Sequence, residues 1–180
     1  MINLFLKIFR TSKNITPINI AGREQLEIMA VGKEIQDKVK RLFKGSLAIR
    51  QIDAGSDNAC EQELVALSNC FYDIERFGMH FVASPRHADM LLVTGPITRN
   101  MAKAVKNAYK ATPDPKIVVA VGDDAITGGI YKGSYAVLDG VGSVLPVHYC
   151  IPGDPPSPKT ILHHLLNILE TLDIEPSKLK

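Results

Sequence analysis

The sequence predicts an α/β protein: an open, mostly parallel sheet with helices on both faces, preceded by a helical extension. Two observations carry the prediction. Short apolar runs alternate with segments of helical period, which is the grammar of strand–helix–strand units. The strongest run, Lys116-Ile117-Val118-Val119-Ala120-Val121, is near-continuously β-branched and closes on Gly122, the pattern of a central parallel strand covered on both faces.

The elements follow in order. Between Arg23 and Phe43, apolar Leu26, Met29, Ala30, Ile35, Val39 and Leu42 alternate with charged residues, which predicts an amphipathic helix broken near Gly32. Its expected use is docking on the domain or on another subunit. Ser46 to Ile52 reads as a buried strand, and Cys60 to Cys70 as the helix after a Gly-Ser-Asp-Asn loop. Met79 to Ala83 and Met90 to Thr94 are further strands, and Arg99 to Lys110 is a helix ending before Pro113 and Pro115. After the run from Lys116, a short connection through His148-Tyr149-Cys150 leads to a last helix, Pro158 to Leu172, with proline in its first turn where a missing N–H costs little. The expected organisation is an N-terminal extension over 1–45, an α/β domain over 46–174 and a tail over 175–180.

Composition excludes several classes. With 46% apolar residues and 22% charged ones, 180 residues can bury one sizeable core. A net charge of +2 with scattered basic residues is no nucleic-acid footprint, which needs a clustered stripe. The three cysteines, Cys60, Cys70 and Cys150, form no disulfide framework, and a reducing compartment fits them best. The opening stretch Met1 to Arg10 is too short and too soon charged to span a bilayer, which takes about 20 apolar residues. With Lys7, Arg10 and Lys13 it suits a membrane surface or a partner's groove, or else a frayed terminus.

Three loops carry the chemistry. They are Asp53-Ala54-Gly55-Ser56-Asp57-Asn58-Ala59-Cys60-Glu61, Val121-Gly122-Asp123-Asp124-Ala125-Ile126-Thr127-Gly128-Gly129, and Ile151-Pro152-Gly153-Asp154-Pro155-Pro156-Ser157-Pro158. Each follows a strand or a connection, where open α/β sheets bind ligands. Their glycines let backbone approach a bulky group closely. Neither glycine-rich stretch has the spacing of a phosphate-binding loop.

Read with cysteine at positions 57, 124 and 154, these loops resemble the ligand loops of the small, cluster-bearing subunit of membrane-bound nickel–iron hydrogenases and of the corresponding subunit of respiratory complex I. Phe71-Tyr72-Asp73-Ile74-Glu75-Arg76-Phe77-Gly78 and Ser84-Pro85-Arg86-His87-Ala88-Asp89-Met90-Leu91-Leu92-Val93-Thr94-Gly95-Pro96 resemble the formate-hydrogenlyase branch in particular. The resemblance spans Ile49 to Leu172. It implies a flavodoxin-like sheet, a single 4Fe-4S cluster held at positions 57, 60, 124 and 154, and a hydrogenase-like or complex-I-like large subunit as partner. It also implies a cytoplasmic site, peripheral to the inner face of the cell membrane. By itself the chain is expected to catalyse nothing.

Only Cys60 keeps its sulfur. Iron–sulfur clusters are held by soft thiolates, commonly four for this centre, whereas carboxylates match hard ions such as magnesium, calcium or manganese. The cluster is therefore expected to be absent, and Asp57, Asp124 and Asp154, with Asp123 as a spare, are candidates for a divalent cation. Equally, aspartate caps helices and turns, and Asp57 and Asp154 each precede an expected helix. A stand-alone scaffolding or cation-binding module that reuses the pocket is the alternative reading. Three carboxylates in one pocket repel one another unless a partner, proton or cation joins them.

The resemblance places Glu61, Arg86 and His87 at the interface with the large subunit, on a face shared with Asp57, Cys60 and Asp154. Helix-terminal acid preference explains Glu61 and Glu63 equally well, and an ordinary turn explains Arg86 and His87. His163 and His164 are adjacent on a helix and form no paired site, His80 and His148 read as strand-packing residues, and Cys70 as a small buried apolar one.

Overall fold

The structure, a computed structural model, describes residues 19–174. The basic, apolar opening segment and the tail at 175–180 lie outside the described residues. Five parallel strands form one sheet: β1 (Leu47–Asp53), β2 (Met79–Phe81), β3 (Met90–Thr94), β4 (Ile117–Val121) and β5 (Tyr149–Ile151), in the order β2-β1-β3-β4-β5. This is the flavodoxin-like doubly wound order. The helices are α1 (Asn19–Leu42), α2 (Ala59–Ala66), α3 (Ala102–Ala111), α4 (Asp123–Thr127) and α5 (Pro158–Ile174).

Side-chain alternation along the strands builds two cores. Met90 and Leu92 of β3, with Ile117, Val119 and Val121 of β4, face a layer made by α1, α2 and α5, while Leu91, Val93, Val118 and Ala120 face the opposite layer with Val105 of α3 and Ala125 of α4. Every residue of β3 and β4 is buried. That is why these runs carry no polar residue until Thr94, whose hydroxyl donates to the Ile52 carbonyl at 3.3 Å. Each fully buried aliphatic side chain contributes about 1.5–3 kcal/mol.

Helix α1 is continuous through Gly32, contrary to the expected break. Glycine is there for space: an added Cβ would clash with the far end of the Phe77 ring, at Cζ, Cε1 and Cε2, which sits in the 3-10 turn Ile74–Phe77. Ile28, Ile35 and Val39 of α1 join the core beside Leu162, Leu165 and Leu169 of α5. Lys159–Glu27 at 2.7 Å, His163–Glu27 at 3.4 Å and Lys38–Glu170 at 3.7 Å line that seam, with Arg41 paired to Asp173. No helix among the described residues is long and apolar enough to cross a membrane.

Two other expectations need correction. Helix α2 stops at Ala66, not Cys70, because the chain turns there: Leu67 N–H donates to Leu64 O at 3.2 Å, and the Asn69 side chain accepts from Phe71 N and Tyr72 N at 2.8 and 3.0 Å. Cys70 therefore lies in the turn and is exposed, not buried. Arg86 and His87 occupy the 3-10 turn Pro85–His87 that precedes β3. They line a surface cleft with Leu42, Phe43, Pro113 and Pro115, the segments entering β1 and β4. In a parallel sheet those are the amino ends of the strands, opposite to the loops of Asp57, Asp124 and Asp154, so no single face bears Arg86 and the three aspartates.

Candidate functional site

The parallel register sets Asp53, Thr94, Val121 and Ile151 side by side in one row across β1, β3, β4 and β5. The three loops leave the sheet from this row, so Asp57, Asp124 and Asp154 are delivered to one edge by strand pairing alone.

The first loop is folded on its own polar groups. Asp53 Oδ1 accepts from Gly55 N at 2.7 Å and Ser56 N at 2.9 Å, Ser56 Oγ accepts from Asn58 N at 3.2 Å, and Asp57 Oδ1 accepts from Ala59 N at 3.0 Å. Thr98, beyond β3, ties the loop down: its N–H and hydroxyl donate to Ala54 O at 2.9 and 3.1 Å. Asp57 thus stays exposed at the start of α2 while Cys60, one helical turn on, is turned inward and only 7% exposed.

The second and third loops are laced together beyond the ends of their strands. Gly122 N donates to Ile151 O at 2.8 Å, Asp123 N to Gly153 O at 2.9 Å, and Gly153 N to Asp123 Oδ1 at 3.0 Å. Asp123 is thereby a structural brace, and the carboxylate left facing the pocket is that of Asp124. It lies half-buried against Gly129, which leaves no room for a side chain, and accepts from the Ile130 N–H. Asp154 is exposed and does not cap α5; Ser157 does, its hydroxyl oxygen accepting from Thr160 N at 3.2 Å.

The electrostatics of Cys60 and Asp124 agree with this convergence of the loops. Burial first, then the charges of Glu61, Asp57, Asp154 and Asp124, push the Cys60 thiol up to about 12. Burial, then Asp154, Asp57 and Asp123, raises the Asp124 carboxyl above its ordinary value, against the lowering effect of the Ile130 N–H. A Cβ added to Gly122 would lie 2.5 Å from Cys60 Sγ and 3.4 Å from Gly153 O, so the glycine that follows β4 is the wall that the thiol faces. Two placements differ from the expectations. Arg86 and His87 are absent from this edge, and Glu61 is 8% exposed with neither carboxylate oxygen hydrogen-bonded among the described residues. Sequence reasoning placed Glu61 near an interface or as an acid in a helix's first turn; only the fold could bury it.

The cradle and its donors point in different directions. Backbone without Cβ atoms faces the thiol, as a bulky inorganic group would require, but the donor set is one cysteine and three carboxylates, and a 4Fe-4S core takes thiolates. Among the described residues, no group of three or more His, Cys, Asp or Glu side chains is arranged to hold a metal ion.

A doubly wound α/β domain with three convergent loops at the carboxyl edge of its sheet defines the class. The chain belongs to the family described as NADH ubiquinone oxidoreductase, 20 Kd subunit, which it matches over residues 58–168. It is 40% identical over 143 residues to the probable membrane-bound hydrogenase subunit mbhJ of Pyrococcus furiosus, covering 78% of this chain and 86% of that one. Formate hydrogenlyase subunit 7 of Escherichia coli is 38% identical over 146 residues, 81% of this chain and 56% of its own length. An NADH-quinone oxidoreductase subunit of Bacteroides thetaiotaomicron is 45% identical over 119 residues, 66% of this chain and 60% of its own. The chain thus spans less than two thirds of these last two. Among solved structures, a chain of the membrane-bound sulfane sulfur reductase, an archaeal respiratory membrane complex, superposes with a TM-score of 0.66 at 32% identity, covering 79% of this chain and 77% of that one.

Proposed function

We propose that the chain is a subunit of a membrane-associated oxidoreductase complex of the hydrogenase or complex I type, derived from the electron-transfer subunit, and that it no longer holds a 4Fe-4S cluster. Its partners are the other subunits of such a complex, a large subunit foremost, and it sits peripherally on the inner face of the membrane. The observation that carries the reading is the convergence of Asp57, Cys60, Asp124 and Asp154 at one edge of a sheet whose relatives include subunits of membrane-bound hydrogenase and respiratory complexes.

The loss follows from donor chemistry. Of the four positions only Cys60 carries a sulfur, and a 4Fe-4S core takes thiolates. Carboxylates hold iron–sulfide cores weakly. What remains for the edge is an interface: Pro152 and Pro155 are exposed beside Asp154, an apolar and polar mixture suited to a subunit contact. Because Arg86 and His87 lie at the opposite end of the strands, any contact they make belongs to a second surface.

Affinity purification of the tagged chain from native membranes in mild detergent tests the partnership. Recovery with a hydrogenase-like or quinone-reductase-like large subunit is expected; recovery as a lone monomer refutes it.

A further inference from the structure

The side of α3 turned away from the sheet is a row of cations. Val105 packs into the core, while Lys103, Lys106 and Lys110, spaced i, i+3 and i+7 on one helical stripe, are exposed. Arg99, just ahead of the helix, is exposed as well. None of these, nor Lys132, enters an ion pair with a described residue. The segment that follows α4 is fixed against the start of this row: Arg99 Nε donates to Tyr135 O at 2.7 Å, Arg99 N donates to Ala136 O at 2.9 Å, and Thr98 pairs with Val137 in an antiparallel bridge. Tyr135 is 91% exposed and Ile130 85%, with Tyr131 and Lys132 exposed between them. No other large apolar side chain among the described residues protrudes as far. Apolar tips and lysine row are thus one surface.

We propose that this surface, with Ile130 and Tyr135 at its head and Lys103, Lys106 and Lys110 along its length, rests on an anionic lipid bilayer. The inference deepens the reading of a peripheral membrane subunit and rests on it. Charge complementarity decides the occupant. Lysines near an anionic leaflet are each drawn to it, a tyrosine ring sits at headgroup level, and an aliphatic side chain beside it enters the acyl boundary. A protein contact fits less well, because lysine is depleted in such interfaces relative to the rest of the surface. No described helix is long and apolar enough to cross a membrane, so attachment through the described residues is of this surface kind. The charges also set the orientation: α3 starts beside the acidic loops, where Asp124 accepts from the Ile130 N–H, and runs toward the amino end of β4, carrying its lysines away from those carboxylates.

Flotation of the full chain with vesicles tests the proposal, using phosphatidylcholine alone and phosphatidylcholine mixed with phosphatidylglycerol. Wild type is expected to float with the mixed vesicles and to be released by sodium chloride, since salt screens exposed charges. Lys103→Gln/Lys106→Gln/Lys110→Gln should partition about tenfold or more weakly and lose most of its preference for phosphatidylglycerol. Ile130→Ser/Tyr135→Ser should also bind about tenfold more weakly, while keeping its salt dependence. The substituted side chains are all exposed, and circular dichroism verifies the fold. Unchanged partition of the lysine variant overturns the inference and assigns attachment to residues outside this face. Wild type that ignores the mixed vesicles overturns it as well, and loss of co-purified subunits by the lysine variant would then mark the face as a protein contact. Neither outcome touches the subunit reading, which co-purification decides: a lone monomer that still floats refutes the partnership alone.

Discussion

Replacing Gly122 with alanine tests the site's geometry at its centre. Gly122 has φ 91° and ψ 155°, a region essentially closed to residues with a Cβ and costing about 1–3 kcal/mol. The new methyl would also stand 2.5 Å from Cys60 Sγ, and such overpacking adds about 1–3 kcal/mol. The sum, roughly 2 to 6 kcal/mol, lowers the thermal midpoint by roughly 5 to 20 °C for a chain of this size. Pairing the change with Cys60→Ala separates the two costs, since removal of Sγ relieves the clash and leaves the backbone strain. Urea unfolding followed by circular dichroism on all four members of the cycle should give a favourable coupling of about 1–3 kcal/mol. Additivity within about 0.5 kcal/mol would mean that the thiol does not face Gly122, and the convergence of the loops would lose its main steric support.

Two further outcomes follow from the same neighbourhood. With its thiol at about 12, Cys60 has roughly one thiolate in ten thousand at pH 8, so iodoacetamide should label exposed Cys70 well before Cys60, as read by peptide mass spectrometry; equal rates would contradict the burial and charge assigned to the site. Asp124→Asn should stabilise the isolated chain at neutral pH, because a carboxyl whose folded value is raised costs stability when ionised. The gain should shrink as pH falls from the raised folded value through the ordinary carboxylate range, where wild type recovers the deficit by binding a proton; a gain that persists at low pH would point to a cause other than charge.

Much of the fold was legible because burial on both faces forces unbroken apolar runs. β3 and β4 announced themselves in Met90 to Thr94 and Ile117 to Val121. β5 did not, since three residues ending in front of Pro152 carry no period, and its existence is owed to pairing with Val119 to Val121. α4 was likewise hidden: five residues between Gly122 and Gly128 look like loop until Asp123 is seen bracing Gly153. Gly32 misled because glycine's helix-breaking cost is the same whether or not a ring needs its space, and only the tertiary contact with Phe77 distinguishes the two.

At the site, the aspartates were found because their loops kept the glycines and the Cys60 frame around them. Arg86 was assigned to the wrong end because motif order along a chain does not state which end of a strand a turn occupies. Counting strand direction from Met90 would have placed it, since residues immediately before a parallel strand share its amino end. The burial of Glu61 had no sequence signal beyond Leu64 and Leu67, the core residues of its own helix and of the turn that follows.

The central claim is that positions 57, 60, 124 and 154 converge at one end of the sheet, and that carboxylates at three of them cannot hold the cluster that thiolates there would. Anaerobic reconstitution with iron and sulfide, applied in parallel to wild type and to Asp57→Cys/Asp124→Cys/Asp154→Cys, measures it directly. The account predicts about four iron and four sulfide per chain, with the electron paramagnetic resonance signal of a reduced 4Fe-4S centre, in the variant, and essentially none in wild type. A wild-type chain that takes up the cluster, or a correctly folded variant that takes up none, would contradict it.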